Sequence, residues 1–305
     1  MKTNDKTHFI YSLILLFLCF SSTYASDINT LKQYINTIIS GEKAEVGVEV
    51  VINGKDSITV NNDVKYPLMS VFKLHQAVAV ANKLSKDDIP LDTLLFIRGN
   101  ELKEGTYSPL RDKYPDAERY MSVRELLRYT LLLSDNNACD ILFNRIINTC
   151  DVDNYIRSLD ISGFSISATE DDMHRDVGLC YANWSTPFAA TLLMEKLLTA
   201  DILKSEYRQF IVDTMMECQT GIKRLPAFTH NEDVRIGHKT GTGGKNPDGE
   251  IIAVNDMGFV ILPDGQYYTI AVFIKDSRED MEVNENIIAD ISKAVYNYVN
   301  KIGKN

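Results

Sequence analysis

The 305-residue sequence is short of positive charge: 42 Asp and Glu outnumber 32 Lys and Arg, for a formal charge of −10. No basic stripe runs through it, so it lacks the electrostatic footprint of a nucleic-acid binder. Its five histidines, His8, His75, His174, His230 and His238, form no paired ligand motif, and neither a metal nor another cofactor is expected. Cysteine is also sparse. Cys19, Cys139, Cys150, Cys180 and Cys218 have neither metal-site spacing nor the density of a disulfide framework. If Cys139 and Cys150 lie on one helix, eleven residues at 1.5 Å rise put them about 16 Å apart, too far to bond. The thiols are therefore expected as buried, small apolar residues. Internal repeats and low-complexity linkers are missing as well.

What the chain does have begins with "MKTNDKTHFIYSLILLFLCFSSTYAS": a basic start, an apolar run from Phe9 to Phe20, and Thr23 and Ala25 flanking Tyr24. This pattern predicts a secretory signal peptide over residues 1–25, cut after Ala25, and a periplasmic protein with no stable membrane association. The apolar run is short for a membrane span, although an uncleaved anchor is the alternative. A lipoprotein site at Cys19 is disfavoured by Leu16, Phe17 and Leu18 before it and bulky Phe20 after it. The remainder, 26–305, is long enough for one large domain or two interlocked lobes.

Leu31, Tyr34, Ile35 and Ile38 predict a first helix, with Ser26 or Asp27 as its cap. The strand-like runs "AEVGVEVVI" and "SITVNN" follow, joined by "NGKD". The middle reads as mostly helical: a run from Ser70 to Leu84, a run from Ser122 to Asn148 with a polar break at Ser134–Asn137, and "TPFAATLLMEKLLTA". Strands return in "DMGFVILPDGQYYTIAVFIKDS", a hairpin around Pro263, Asp264 and Gly265. A last helix carries Ile287, Ile288, Ile291, Val295 and Tyr298 in one stripe. The fold class is thus α/β in the α+β sandwich sense. Both termini build one antiparallel sheet with flanking helices (about 26–66 and 226–305), and an all-helical lobe is inserted between them (about 67–225). A cleft between the lobes is the natural place for a site.

Three short motifs fall in that arrangement. Ser70 and Lys73 stand three apart where an apolar periodicity begins, so a helix would place them side by side in its first turn. Unpaired N–H groups and the positive dipole end make that a place to hold an activated hydroxyl; a serine cap followed by a solvated lysine is the plainer alternative. A second Ser-x-x-Lys, Ser40 and Lys43, opens no helix. "SDNN", residues 134–137, interrupts the helical middle and could be a local cap. "HKTGTGG" places Lys239, Thr240, Gly241 and Thr242 just before the C-terminal strands, where glycine would let a ligand approach the backbone.

Ser-x-x-Lys, Ser-Asp-Asn and Lys-Thr-Gly, in that order and in helix-start, helix-break and strand contexts, resemble the class A β-lactamases and penicillin-binding proteins. The resemblance to the class A serine β-lactamases covers essentially the whole chain after residue 25. It implies Ser70 as nucleophile, Lys73 as its base or proton relay, Ser134 as proton donor to the lactam nitrogen, and Asn136 as holder of the substrate amide. The Ser70 and Thr242 N–H groups would form the oxyanion hole. Lys239 and Thr240 would meet the substrate carboxylate, and Tyr107, in "YSP", would line the cleft. The substrates implied are β-lactams and the expected state is a monomer.

Hydrolytic members carry a water-activating glutamate in a Glu-x-x-Leu-Asn loop. Here "SATEDDMHRD" offers Glu170, with Met173 and His174 in place of Leu and Asn, and Ala168 where an arginine is usual. His174 would orient the deacylating water, brace Glu170, or simply pack the loop. These departures resemble the cephalosporin-hydrolysing branch of anaerobic Gram-negative bacteria. By the same resemblance Arg224 would support the carboxylate pocket, because the strand "GEIIAVNDMGF" lacks the arginine other members use. A D-alanyl-D-alanine peptidase shares the three motifs but deacylates slowly; a catalytically dead sensor domain would usually have lost Ser70 or Lys73.

Overall fold

Residue alternation in the first and last strands sets the architecture. In β1 (Glu45–Ile52) Val46, Val48, Val50 and Ile52 point to one face. The other strands are β2 (Asp56–Val60), β3 (Tyr66–Pro67), β4 (Leu94–Ile97), β5 (Arg119–Ser122), β6 (Phe164–Ser165), β7 (Trp184–Ser185), β8 (Arg235–Thr242), β9 (Ile251–Ile261) and β10 (Tyr267–Ser277). In chain order the helices are α1 (28–39), α2 (Phe72–Lys86), α3 (Pro109–Lys113), α4 (Val123–Leu132), α5 (Asn136–Arg145), α6 (Thr149–Arg157), α7 (Glu170–Arg175), α8 (Pro187–Thr199), α9 (Ser205–Met216) and α10 (Met281–Ile302). The computed structural model describes residues 28–303 apart from 117, 230 and 232. The signal segment, the Ser26 or Asp27 cap, Cys19, His8 and His230 lie outside the described residues.

The main sheet is antiparallel in the order β2-β1-β10-β9-β8. β10 sends Ile270, Val272 and Ile274 to the face shared with Leu31, Ile35, Ile288 and Val295 of α1 and α10. It sends Ala271 and Phe273 to the other face, into the same core as Leu193 of α8 and Phe72 of α2. A sheet covered on both faces buries apolar side chains along whole strands, as β9 does. α8 belongs to the helical middle by sequence but packs on β1, β9 and β10. Among the described residues, no helix is long and apolar enough to cross a membrane.

The structure corrects three expectations. The helix expected from Ser70 begins as a tighter turn, Met69–Val71, which leads directly into α2. Cys139 and Cys150 lie on separate helices, α5 and α6, not on one. Cys139 and Cys180 are buried, Cys218 is half-buried and Cys150 is exposed; all four are free thiols. Cys150 escapes burial because it sits in the first turn of α6, whose buried side chains are Val152 and Ile156.

Gly241 departs from expectation in an instructive way. A Cβ there would lie 2.3 Å from the Leu68 carbonyl oxygen and 3.2 Å from Met69 Cβ. The missing side chain therefore makes room for the turn that carries Ser70, not for a ligand. Asn255 of β9 ties that turn down, donating from Nδ2 to the Pro67 and Leu68 carbonyls at 2.7 and 3.2 Å. The Ser70 turn and β8 are thus locked together by backbone packing.

Candidate active site

Three backbone devices bring the motifs to one cleft. Met69 precedes Ser70 at φ +45°, and Ser134 itself has φ +60°. Left-handed backbone at non-glycine residues costs about 1–3 kcal/mol each and persists where surroundings over-determine it. Ser134 breaks the chain between α4 and α5, and Asp135 then caps α5 by accepting from the Ala138 amide at 2.8 Å. Asp135 also accepts from Ser108 Oγ at 3.0 Å and from the Leu110 amide at 2.6 Å, fixing the Tyr107 loop to the same point. "SDNN" is therefore a cap and a presenter of side chains at once.

Lys73 is fully buried, which removes the solvated-lysine alternative. Its Nζ faces four oxygens: Ser70 Oγ at 3.0 Å, the Ser134 carbonyl at 2.7 Å, Asn136 Oδ1 at 2.6 Å and Glu170 Oε1 at 2.8 Å. A lysine has at most three N–H donors, so these acceptors share them. Ser70 Oγ in turn donates to Glu170 Oε1 at 3.3 Å. The hydroxyl thus accepts from Lys73 while donating to Glu170. Asn136 is oriented from its other end, Nδ2 donating to Thr106 Oγ1 at 2.8 Å.

Lys239 approaches from β8 and donates to Ser134 Oγ at 2.9 Å and to the Thr240 carbonyl at 2.9 Å. Burial, followed by the nearby charge of Lys73, lowers its pKa to about 8. Ser134 therefore stands between two lysines, one on its carbonyl and one on its hydroxyl. The cleft, of about 270 Å³, is lined by Met69, Ser70, Tyr107, Ser134, Asn136, Glu170, Thr220, Thr240 and Thr242.

Arg224 is buried and does not line the cleft. It acts behind β8: its guanidinium donates to Thr242 Oγ1 at 2.8 Å, the Gly241 carbonyl at 3.2 Å and the Asn255 carbonyl at 3.0 Å, and it pairs with Glu285 at 3.2 Å. His174 is exposed, and a Cβ on Gly105 would lie 3.4 Å from its Nε2. The structure sets it against that neighbouring loop and outside the cleft. It points away because Glu170 and Met173 supply the buried face of the single-turn-and-a-half α7.

Four residues of the site were not singled out in the sequence. Asp140 of α5 receives the Glu170 and Asp171 amides, each at 2.9 Å, so it holds the start of α7. Burial and then the neighbouring Glu170 charge raise its pKa to about 7. Asn183 closes the loop at Ala168, accepting from the Ser167 and Ala168 amides at 2.8 and 2.9 Å and donating to the Ala168 carbonyl at 2.8 Å. It supplies the closure for which the usual arginine is absent. Thr220 and Asn255 complete the set, and none of the four carries a local motif.

The three motifs meet in one cleft, on a sheet of terminal strands with an inserted helical lobe, in the arrangement of the β-lactam-interacting class. Residues 30–299 match the β-lactamase enzyme family. The chain is 40% identical over 293 residues to a β-lactamase of Bacteroides uniformis, covering 95% of this chain and 98% of that one. It is 34% identical over 288 residues to the extended-spectrum β-lactamase PER-1 of Pseudomonas aeruginosa, covering 93% and 92%. The crystal structure of a class A β-lactamase from Bacteroides cellulosilyticus superposes with a TM-score of 0.86 at 41% identity, covering 90% and 99%. The chain belongs to the class A serine β-lactamases, hydrolases that act on β-lactams.

Proposed function

We propose that this chain opens β-lactam rings, cephalosporins foremost, through an acyl-enzyme on Ser70. The observation that carries this reading is the double service of one hydroxyl: Lys73 Nζ lies 3.0 Å from Ser70 Oγ, and Glu170 Oε1 lies 3.3 Å from it on the loop side. Lys73 relays the proton during acylation. Ser134, held by Lys239, passes a proton to the departing lactam nitrogen. The N–H groups of Ser70 and Thr242 take the developing oxyanion. Glu170 then deprotonates water to free the acyl group, the step a slow-deacylating peptidase lacks. Lys239, Thr240 and Thr242 receive the substrate carboxylate, Asn136 its amide, and Tyr107 flanks it.

The preference for cephalosporins is supported by the Glu170–His174 loop pattern and by the extended-spectrum name of a relative. We further infer a signal peptide over 1–25 and a periplasmic location, on the pattern of the N-terminal sequence, and a monomer with a single folded unit over 26–305, on the resemblance to the family. The test is a chromogenic cephalosporin mixed with purified protein: many turnovers per molecule support the hydrolase. One stoichiometric acylation would indicate a peptidase, and no reaction a dead binding domain.

A further inference from the structure

Further along β8 from the cleft, a second group of reactive side chains has no part in the chemistry above. His238 and Asp256 face each other across the β8–β9 pairing, with His238 Nδ1 2.9 Å from both Asp256 oxygens. Both are buried. Cys218 follows the end of α9 and shares a cavity wall with His238. Cys218 and His238 together line a cavity of about 340 Å³ with Met216, Ile222 and Pro226, larger than the substrate cleft. A thiol and a carboxylate-paired imidazole on the wall of one cavity, which Arg235 and Asn231 also line, supply the parts of an activated nucleophile.

The electrostatics agree with the geometry. Burial alone would lower the His238 pKa, but the Asp256 carboxylate outweighs it and raises the imidazole to about 10. Burial pushes the Cys218 thiol up, and the neighbouring His238 imidazolium, with Lys239 beyond, reverses this to bring it down to about 7.

We propose that Cys218, His238 and Asp256 form a second nucleophilic site, which takes a low-molecular-weight disulfide by thiol exchange and transmits its occupation to the cleft through Thr220 and Thr240. The Cys218 thiolate attacks one sulfur of the disulfide. A Cys218–sulfur bond forms, the original sulfur–sulfur bond breaks, and the leaving thiolate carries off the electron pair and takes a proton from water. No separate oxidant is needed. The route to the cleft is short: Cys218 Sγ lies 3.4 Å from Thr220 Oγ1, Thr220 Oγ1 lies 2.6 Å from Thr240 Oγ1, and the Thr240 carbonyl accepts from Lys239. A substituent on Cys218 displaces the Thr220 hydroxyl and frees Thr240 from its partner.

The probe is hydroxyethyl disulfide, applied at about pH 6.5 to the wild type and to Cys150→Ser, with uptake followed by intact mass and located by peptide mapping. Exchange should occur at Cys218 about fivefold faster than at exposed Cys150, the gain in thiolate fraction being partly offset by lower nucleophilicity. His238→Asn should remove that advantage. Should that variant fail to fold, the pH profile of Cys218 exchange in Cys150→Ser decides instead: an inflection near 7 supports the site, and one at the ordinary thiol value overturns it. The kinetic half rests on the hydrolytic reading above. Occupied protein should show a KM for a carboxylate-bearing cephalosporin raised about threefold to tenfold, restored by dithiothreitol. Unchanged KM at full occupancy overturns the coupling, and fast labelling of a protein that hydrolyses nothing separates the two claims.

Discussion

The Glu170 amide donates to Asp140 Oδ1 at 2.9 Å, so the first residue of α7 is pinned to α5 by its backbone while its carboxylate stays free to face Ser70. Backbone anchoring lets the side chain be changed without moving the loop. Glu170→Gln should therefore keep the loop in place while it replaces the proton acceptor, and its ion pair with Lys73, by a neutral amide. Loss of a general base costs about 10²–10⁴ in rate, here concentrated in deacylation because Lys73 still serves acylation. After mixing with a cephalosporin, a burst and then very slow turnover are expected, with a covalent adduct on Ser70 seen by intact-protein mass spectrometry. Wild-type turnover would remove Glu170 from the mechanism and turn attention to Asp171 and Asp172.

Arg224 touches Thr242 and the Gly241 carbonyl from behind, so it is a positioning residue for the carboxylate pocket. Arg224→Ala removes charge-assisted bonds worth about 1.5–3 kcal/mol. Expected is a fall of about tenfold or more in kcat/KM for carboxylate-bearing substrates, entering mainly through KM. An analogue esterified at that carboxylate should lose much less. Equal losses for both would point to general disruption of β8.

Lys239 supplies a pH dependence with a definite sign. Its pKa is depressed to about 8, by burial first and by the Lys73 charge second, so the free enzyme loses this cation as pH rises through 8. Because kcat/KM reports groups of the free enzyme, it should fall above about pH 8 for anionic substrates. The esterified analogue should lack that limb. A flat profile to pH 10 for the anionic substrate would contradict the role.

His174 and Asn183 should separate cleanly. With His174 exposed against Gly105, His174→Asn and His174→Ala are expected to deacylate at equal rates, the outcome of loop packing. Asn183→Ala leaves the buried amide and carbonyl of Ala168 without partners, each costing about 1–3 kcal/mol. Its melting temperature should drop by several degrees, at about 2–4 °C per kcal/mol for a chain of this size, and deacylation should slow with it. A His174→Ala variant that alone loses deacylation would restore the water-positioning role.

The motifs were legible because each sits within a few residues of chain: Ser70 with Lys73, Ser134 with Asn136, and Lys239 with Thr242 need only local order to be recognised. The long hairpin β9–β10 and the stripe of α10 were equally plain, since their periodicities are long. Asp140, Asn183, Thr220 and Asn255 were not, because an isolated Asp, Asn or Thr has no pattern, and its role is set by partners distant in sequence. Asn255, for example, reaches Pro67. The two-residue strands β3, β6 and β7 offer no alternation to read. His174 and Arg224 show the same limit from the other side: position in a motif names a residue, while the direction of its side chain depends on the packing around it.

The central pair of the sheet joins the chain's beginning to its end, Glu45 meeting Lys275 and Ile52 meeting Tyr268. Pairing strands so distant in sequence is entropically slow, because everything between must be enclosed before the first ladder bond forms. During synthesis β1 can pair with β2 at once, but its other edge stays open until β10 has been made. The five-stranded sheet therefore closes late, once the polypeptide is nearly complete, and its central seam is the part of the fold most exposed to a truncation near the C-terminus.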